Sequence, residues 1–295
     1  EPDSNKFRAF AISDLPEARA KGKQINSHNV EAQQNKAEDK AAVDNQTAKF
    51  EAIAAGDSTT AFTQDSLANN ALVERYGQFA NSAKGTNEYI TLENEKIIVK
   101  LSTYGGRPVS VQLKDFKNYN GSDLYLFTED SSKFAIDFIS QNRKLTTAEL
   151  FFEADKNNVL VSGDNNTGEV SLKLRAGANQ YIEFKYALKG NSYDVDFAVN
   201  YVGLNGLVAD NRDGVQLYWQ IFSPSHEKGF ENEDRRTSIF FKPVDDNRDY
   251  ISEASPERID LEENLEWIAF KQQYFSAAIL TEQPFKSTNS FLETV

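Results

Sequence analysis

Trp267-Ile268-Ala269-Phe270-Lys271-Gln272-Gln273-Tyr274-Phe275-Ser276-Ala277-Ala278-Ile279 is rich in aromatic residues, free of Gly and Pro, and free of acids, Cys and His. Two apolar clusters, Trp267/Phe270 and Tyr274/Phe275/Ile279, flank the polar step Lys271-Gln272-Gln273. That spacing predicts a buried strand followed by a second strand across a short polar turn. Such a segment builds a core and performs no chemistry of its own.

Outward from this block, a period of two runs through the chain from residue 86. Ile97/Val99/Leu101, Val109/Val111/Leu113, Phe134/Ile136/Phe138 and Val170/Leu172/Leu174 alternate with polar neighbours. Ile182/Phe184/Tyr186/Leu188, Tyr193/Val195/Phe197/Val199/Tyr201 and Val215/Leu217/Trp219/Ile221 do the same. Repeated alternation indicates half-buried antiparallel strands. Gly105-Gly106, Asn120-Gly121, Gly163-Asp164-Asn165-Asn166, Gly190-Asn191 and Asp213-Gly214 supply turns between them. Gln180–Leu188 and Tyr193–Tyr201 are expected to pair as a hairpin, and Asp164-Asn165-Asn166 to be a hairpin tip. Many strands without helical interruption predict a large β-sandwich.

Residues 1–85 differ in kind. They hold 6 of the 35 aromatic residues and 17 Ala, so they lack material for a core of their own. Val30–Ala55 reads as an Ala/Gln-rich, partly helical tether with little to bury. In Ala61–Ala83, anchored by Phe62, Leu67, Leu72, Val73, Tyr76 and Phe79, the helical spacing of Leu72, Tyr76 and Phe79 predicts a short helix docking on the β domain. The expected division is therefore 1–85 tether, helical or disordered, and 86–295 β domain.

The net charge of −13 over 295 residues argues against phosphate-backbone binding, which needs a basic stripe. With no Cys there is no disulfide framework and no thiolate chemistry. Methionine is absent, an initiator included, and no apolar run approaches the ~18 residues of a membrane helix. The polar, acidic start Glu1-Pro2-Asp3-Ser4 carries no signal peptide. The chain therefore reads as an excised, span-free piece of a longer protein.

Catalytic constellations are missing from the pattern. His226, in Ser223-Pro224-Ser225-His226-Glu227, is one of two histidines, and His28 lies in the tether. The preferred reading of His226 is a polar, solvent-facing loop after the Trp219 strand. Asp245-Asp246, Glu262-Glu263 and the Glu231–Asp234 run, with Arg235, Arg236 and Arg248 nearby, read as solvated loops. Asp164-Asn165-Asn166 lacks the Gly and distal Glu of a calcium loop. Tyr218 and Phe222 alternate opposite Leu217, Trp219 and Ile221 and would form an apolar patch if one sheet face were solvated. The preferred expectation is that both faces are covered, with the same ambiguity for Ile239-Phe240-Phe241. No catalytic residue, cofactor or metal is expected.

The opening block, W-I-A-F-K-Q-Q-Y-F-S, also resembles the signature near the end of the large periplasmic domain of YidC-type membrane protein insertases of the Bacteroides-like kind. The resemblance extends, in order, to Thr91–Ile97, the Gly105-Gly106-Arg107 turn, Val109–Phe116, Phe127–Phe134 and Trp219-Gln220-Ile221. It covers roughly residues 86–280. Its signature residues are Gly105, Gly106, Arg107, Trp267, Phe270, Lys271, Gln272, Gln273, Tyr274 and Phe275, all with structural roles. The resemblance implies an antiparallel β-supersandwich of the kind shared with galactose mutarotases. It implies a non-catalytic domain on the periplasmic side of the bacterial inner membrane, held by membrane helices outside this chain. Implied partners are accessory subunits of the Sec translocon and nascent membrane proteins. Family members continue past the equivalent of Val295, so a C-terminally incomplete domain is expected. The competing expectation is a carbohydrate-binding or aldose-epimerase-like periplasmic β-sandwich, which would place His226 inside a polar-aromatic cleft.

Overall fold

The computed structural model of the chain describes residues 5–11, 58–208, 215–229, 233, 236–252 and 256–295. The strands are β1 (Asn5–Ala11), β2 (Tyr89–Glu93), β3 (Ile97–Ser102), β4 (Arg107–Lys117), β5 (Asp123–Phe127), β6 (Ser132–Ser140), β7 (Arg143–Thr146), β8 (Glu153–Ala154), β9 (Asn158–Leu160) and β10 (Thr167–Gly177). They continue with β11 (Gln180–Lys189), β12 (Val195–Val202), β13 (Gln216–Ile221), β14 (Ser238–Pro243), β15 (Asp249–Ser252), β16 (Glu257–Asp260), β17 (Leu265–Lys271), β18 (Ser276–Phe285) and β19 (Phe291–Thr294). Helix α1 (Ser58–Tyr76) runs into a 3-10 turn at Gly77–Ala83. Among the described residues no helix is long and apolar enough to cross a membrane.

The largest sheet has nine strands in the order β15-β14-β17-β18-β1-β12-β11-β10-β8. A five-stranded sheet, β5-β4-β3-β2-β9, and a three-stranded sheet, β13-β6-β7, share one core with it. Ile90, Leu92, Val99 and Leu101 from the five-stranded sheet are buried in the same cluster as Leu172, Leu174, Phe184 and Val199 from the nine-stranded one. Phe134 of β6 meets Phe197 of β12 at 5.7 Å between ring centroids, and Phe197 in turn packs edge-on against Phe184 at 5.3 Å. Each such side chain contributes about 1.5–3 kcal/mol by leaving water. The protein is mainly β and antiparallel, as the alternation predicts.

The expected hairpin of β11 and β12 is present, with Leu188 opposite Val195 and Asn191 in the left-handed region at φ 53°. The opening block also folds as expected: β17 and β18 pair with Lys271 opposite Ser276, across a turn closed by Gln272 N–H donating to the Phe275 carbonyl at 2.8 Å. Ile239, Phe240 and Phe241 are all buried, because both faces of β14 are covered.

Three features depart from the sequence reading. Asn5–Ala11, placed with the tether, is the central strand of the nine, paired to β12 on one side and β18 on the other. Averaging composition over 1–85 hides a seven-residue strand. The turn at Asp164-Asn165-Asn166 is not a hairpin tip: β9 before it pairs in parallel with β2, while β10 after it joins the other sheet. In the helix, Tyr76 and Phe79 are buried and Leu72 packs on the core, but Leu67 and Val73 are more than half exposed. They lie off the face set by Leu72 and Tyr76. The tether Val30–Ala55 and the Asp213-Gly214 turn lie outside the described residues.

Candidate functional site

The residues on which the resemblance rests occupy two places. At the β3–β4 turn, Gly105 and Gly106 both adopt positive φ (84° and 64°), the conformation that primed hairpin turns require. The Tyr186 hydroxyl donates to the Gly106 carbonyl at 2.7 Å, and a Cβ on Gly106 would stand 2.9 Å from the Phe152 ring. Close approach and backbone sign together demand glycine there. Arg107 Nη1 donates to the Ser132 carbonyl at 2.9 Å and to Ser132 Oγ at 3.3 Å, tying β4 to β6. Burial pulls the Arg107 guanidinium pKa below its ordinary value.

The second place is the β17–β18 turn. Phe270 meets Trp219 of β13 edge-on at 4.7 Å, which packs the three-stranded sheet on the nine-stranded one. Trp267 lies instead with Phe240, Ala269, Ala278 and Leu280 in a separate small cluster. Gln272 is buried, its Nε2 donating to the Leu126 carbonyl of β5 at 3.3 Å. Lys271 donates from Nζ to the Gln272 carbonyl at 3.0 Å, and burial, followed by the Arg236 charge, lowers its pKa. Gln273 is half-buried. Phe275 is buried between Phe116 (5.2 Å) and His226 (5.8 Å), both edge-on. Tyr274, expected in the same apolar cluster, is 57% exposed. At this turn Phe275 takes the core side and Tyr274 the solvent side.

His226 is buried, not solvent-facing. Its loop is fastened by Glu233, a buried carboxylate that no cation neutralises among the described ion pairs. Glu233 accepts from the His226 amide (2.8 Å), the Glu227 amide (3.1 Å) and Ser225 Oγ (2.7 Å). Consecutive backbone N–H groups holding one carboxylate form an anion nest. Glu233 therefore departs from the solvated-run reading, whereas Asp245, Asp246, Glu262 and Glu263 are exposed as expected. Nothing local in the sequence marks Glu233, because its donors lie six to eight residues upstream.

These contacts bring three segments together. The Tyr119 amide donates to the His226 carbonyl at 3.0 Å, adding the β4–β5 turn to the loop after β13 and the β17–β18 turn. From a base of Phe116, His226, Gln272 and Phe275, the three segments present Tyr119 (59% exposed), Phe222 (40%) and Tyr274 (57%) to solvent. On adjoining β13, Tyr218 is 43% exposed, so among the described residues the outer face of that strand is only partly covered, where full cover is expected. This aromatic surface on a fixed base is the candidate functional site. Exposed tyrosines that lose little rotamer freedom suit protein contacts.

A cavity of about 540 Å³ lies elsewhere, between the 3-10 turn and the β8–β10 edge. Phe151, Glu153, Arg175, Ser82 and Lys84 are among its lining residues, and His226 is not. Among the described residues no group of acids and histidines is placed to hold a metal ion.

Residues 89–294 match the family described as the YidC periplasmic domain. Relatives include the membrane protein insertase YidC of Parabacteroides distasonis, 29% identical over 76% of this chain and 34% of that protein. Its counterpart in Azobacteroides pseudotrichonymphae is 34% identical over 72% of this chain and 34% of its own length. That of Porphyromonas gingivalis (strain ATCC 33277) is 32% identical over 88% of this chain and 40% of its own length. The chain thus spans 34–40% of the length of these relatives. On the match over residues 89–294, the chain belongs to the YidC periplasmic domain family.

Proposed function

We propose that this chain is the periplasmic domain of a bacterial inner-membrane protein insertase and works by contact, not catalysis. The family match over residues 89–294 carries the reading. The insertion chemistry belongs to membrane helices outside these residues. The domain contributes a docking surface for accessory subunits of the Sec translocon and for nascent membrane proteins. Tyr119, Phe222, Tyr274 and Tyr218 are its contact residues, held in place by the signature residues Gln272 and Phe275. The acidic balance of the chain supports protein partners over nucleic acid. In the carbohydrate reading, His226 would have to reach a sugar from a buried position packed against Phe275.

The test is site-specific photocrosslinking in the full-length insertase in membranes, with the probe at Tyr119, Phe222 or Tyr274. The expected result is adducts with Sec accessory subunits or nascent chains that are absent from a probe at Leu160, itself 72% exposed. Equal adducts from Leu160, or none from the three aromatic positions, would remove the surface from the proposal. Heat of binding on titration with aldoses would favour the carbohydrate reading instead.

A further inference from the structure

Among the described residues, the two halves of the nine-stranded sheet are joined through β1 alone. On one side β12 pairs with β11, and on the other β18 pairs with β17, each across a short turn. Both walls are therefore local hairpins, formed without help from residues 5–11. β1 is antiparallel to both walls, which makes β12 and β18 parallel to each other. Without β1 they would stand two strand spacings apart, about 9–10 Å, with their facing edges unpaired. Residues 12–57 separate β1 from α1, far longer than an ordinary connection.

The register defines what the slot takes. Position 7 lies on the row of Phe197, position 9 between Val195 and Ile279, and position 11 beside Ala277. Those four residues are buried in the main core, so the floor of the slot is the core itself. The alternate row sets position 8, an Arg in the sequence, opposite Asp196 and Leu280. The segment that pairs with both ladders in this register carries Ala at positions 9 and 11 and Arg at position 8.

We propose that β12 and β18 form a strand-acceptor site for an extended polypeptide, that residues 5–11 are its intramolecular ligand, and that the same segment supplied in trans can replace them. This makes the β domain's completion a binding event between its walls and a distant part of the chain. It stands on the strand register and does not depend on the docking surface proposed above.

The test uses the full chain carrying Ala9→Pro, which removes a ladder donor from a central strand and is incompatible with that position. A synthetic peptide spanning residues 1–12 is then added. The expected result is a lowered melting temperature for the variant, one peptide bound per chain, and recovery of the melting temperature and of amide protection in residues 195–202 and 276–285. A peptide that itself carries Ala9→Pro should bind at least about tenfold more weakly. The wild-type chain, its slot already filled, should also bind the peptide at least about tenfold more weakly than the variant. If the variant does not fold alone, refolding with the peptide present should recover it. Unchanged melting with no peptide binding, or no recovery with peptide, would overturn the proposal.

Discussion

The His226 ring stands edge-on to the Phe275 ring, centroids 5.8 Å apart and planes at 89°. This contact joins the loop after β13 to the β17–β18 turn, and it puts a titratable group inside the base of the aromatic surface. Burial holds the imidazole pKa below its ordinary value, while Glu233 and then Gln272 pull it back up. Above about pH 6.5 the ring is neutral in folded and unfolded chains alike. As the pH falls below that value the unfolded chain binds the proton first, so stability is lost through the folded-state pKa. Thermal melts between pH 8 and pH 5 should show this loss, and His226→Gln should flatten it where His28→Gln does not. The same slope in His226→Gln would assign the acid sensitivity to other groups.

Phe275 and Tyr274 are adjacent in the chain and opposite in consequence. Truncating Phe275 empties a site lined by Phe116 and His226, and Phe275→Ala should cost about 3–5 kcal/mol. Tyr274→Ala removes an exposed ring and should change stability by no more than about 0.5 kcal/mol. Urea denaturation of the two variants separates them. Loss of partner crosslinking in Tyr274→Ala without loss of stability would assign that ring to contact.

Two turn glycines with positive φ make a similar contrast. At Gly121 (φ 84°) a Cβ would meet nothing within 4 Å, so Gly121→Ala bears only the backbone strain of about 1–2 kcal/mol. At Gly106 the same strain is joined by a collision with the Phe152 ring. Gly106→Ala should be the more destabilising by about 1–3 kcal/mol, since a packed ring must move. Chemical denaturation midpoints measure the difference directly.

Strands such as β10, β11 and β12 were legible because one face of each is buried, so Val170, Phe184 and Val199 recur at a period of two. The opening block was legible for the same reason, with its polar step falling at the turn. What lay beyond reach depends on contacts distant in sequence. Whether Tyr218 is solvated rests on what covers the outer face of β13, and its alternation is the same either way. His226 and Glu233 look like loop residues because His226 packs on Phe275, distant in sequence, and Glu233 is held by the amides of His226 and Glu227. β1 carries seven residues of signal inside a long Ala-rich stretch, and its partners are some 190 and 270 residues away. The Gly105-Gly106 pair marked the turn between β3 and β4 without disclosing the Tyr186 bond that fixes it.

That bond yields a prediction by comparison with Tyr201. Both hydroxyls are buried and both phenol pKa values are raised by burial, Tyr201 to about 12. Tyr186 donates to the Gly106 carbonyl, while the Tyr201 hydroxyl has no hydrogen-bond partner among the described residues. Removing the first hydroxyl leaves a buried carbonyl unsatisfied, so Tyr186→Phe should cost about 1–3 kcal/mol. Removing the second deletes a desolvated group that gains nothing in the fold, so Tyr201→Phe should be neutral or stabilising. Neither change alters the ring packing, which in Tyr186 includes a 4.8 Å stack on Phe197. The two variants therefore isolate the hydroxyls, and differential scanning calorimetry should move their melting temperatures apart. A Tyr201→Phe variant as unstable as Tyr186→Phe would mean that the Tyr201 hydroxyl is satisfied in solution.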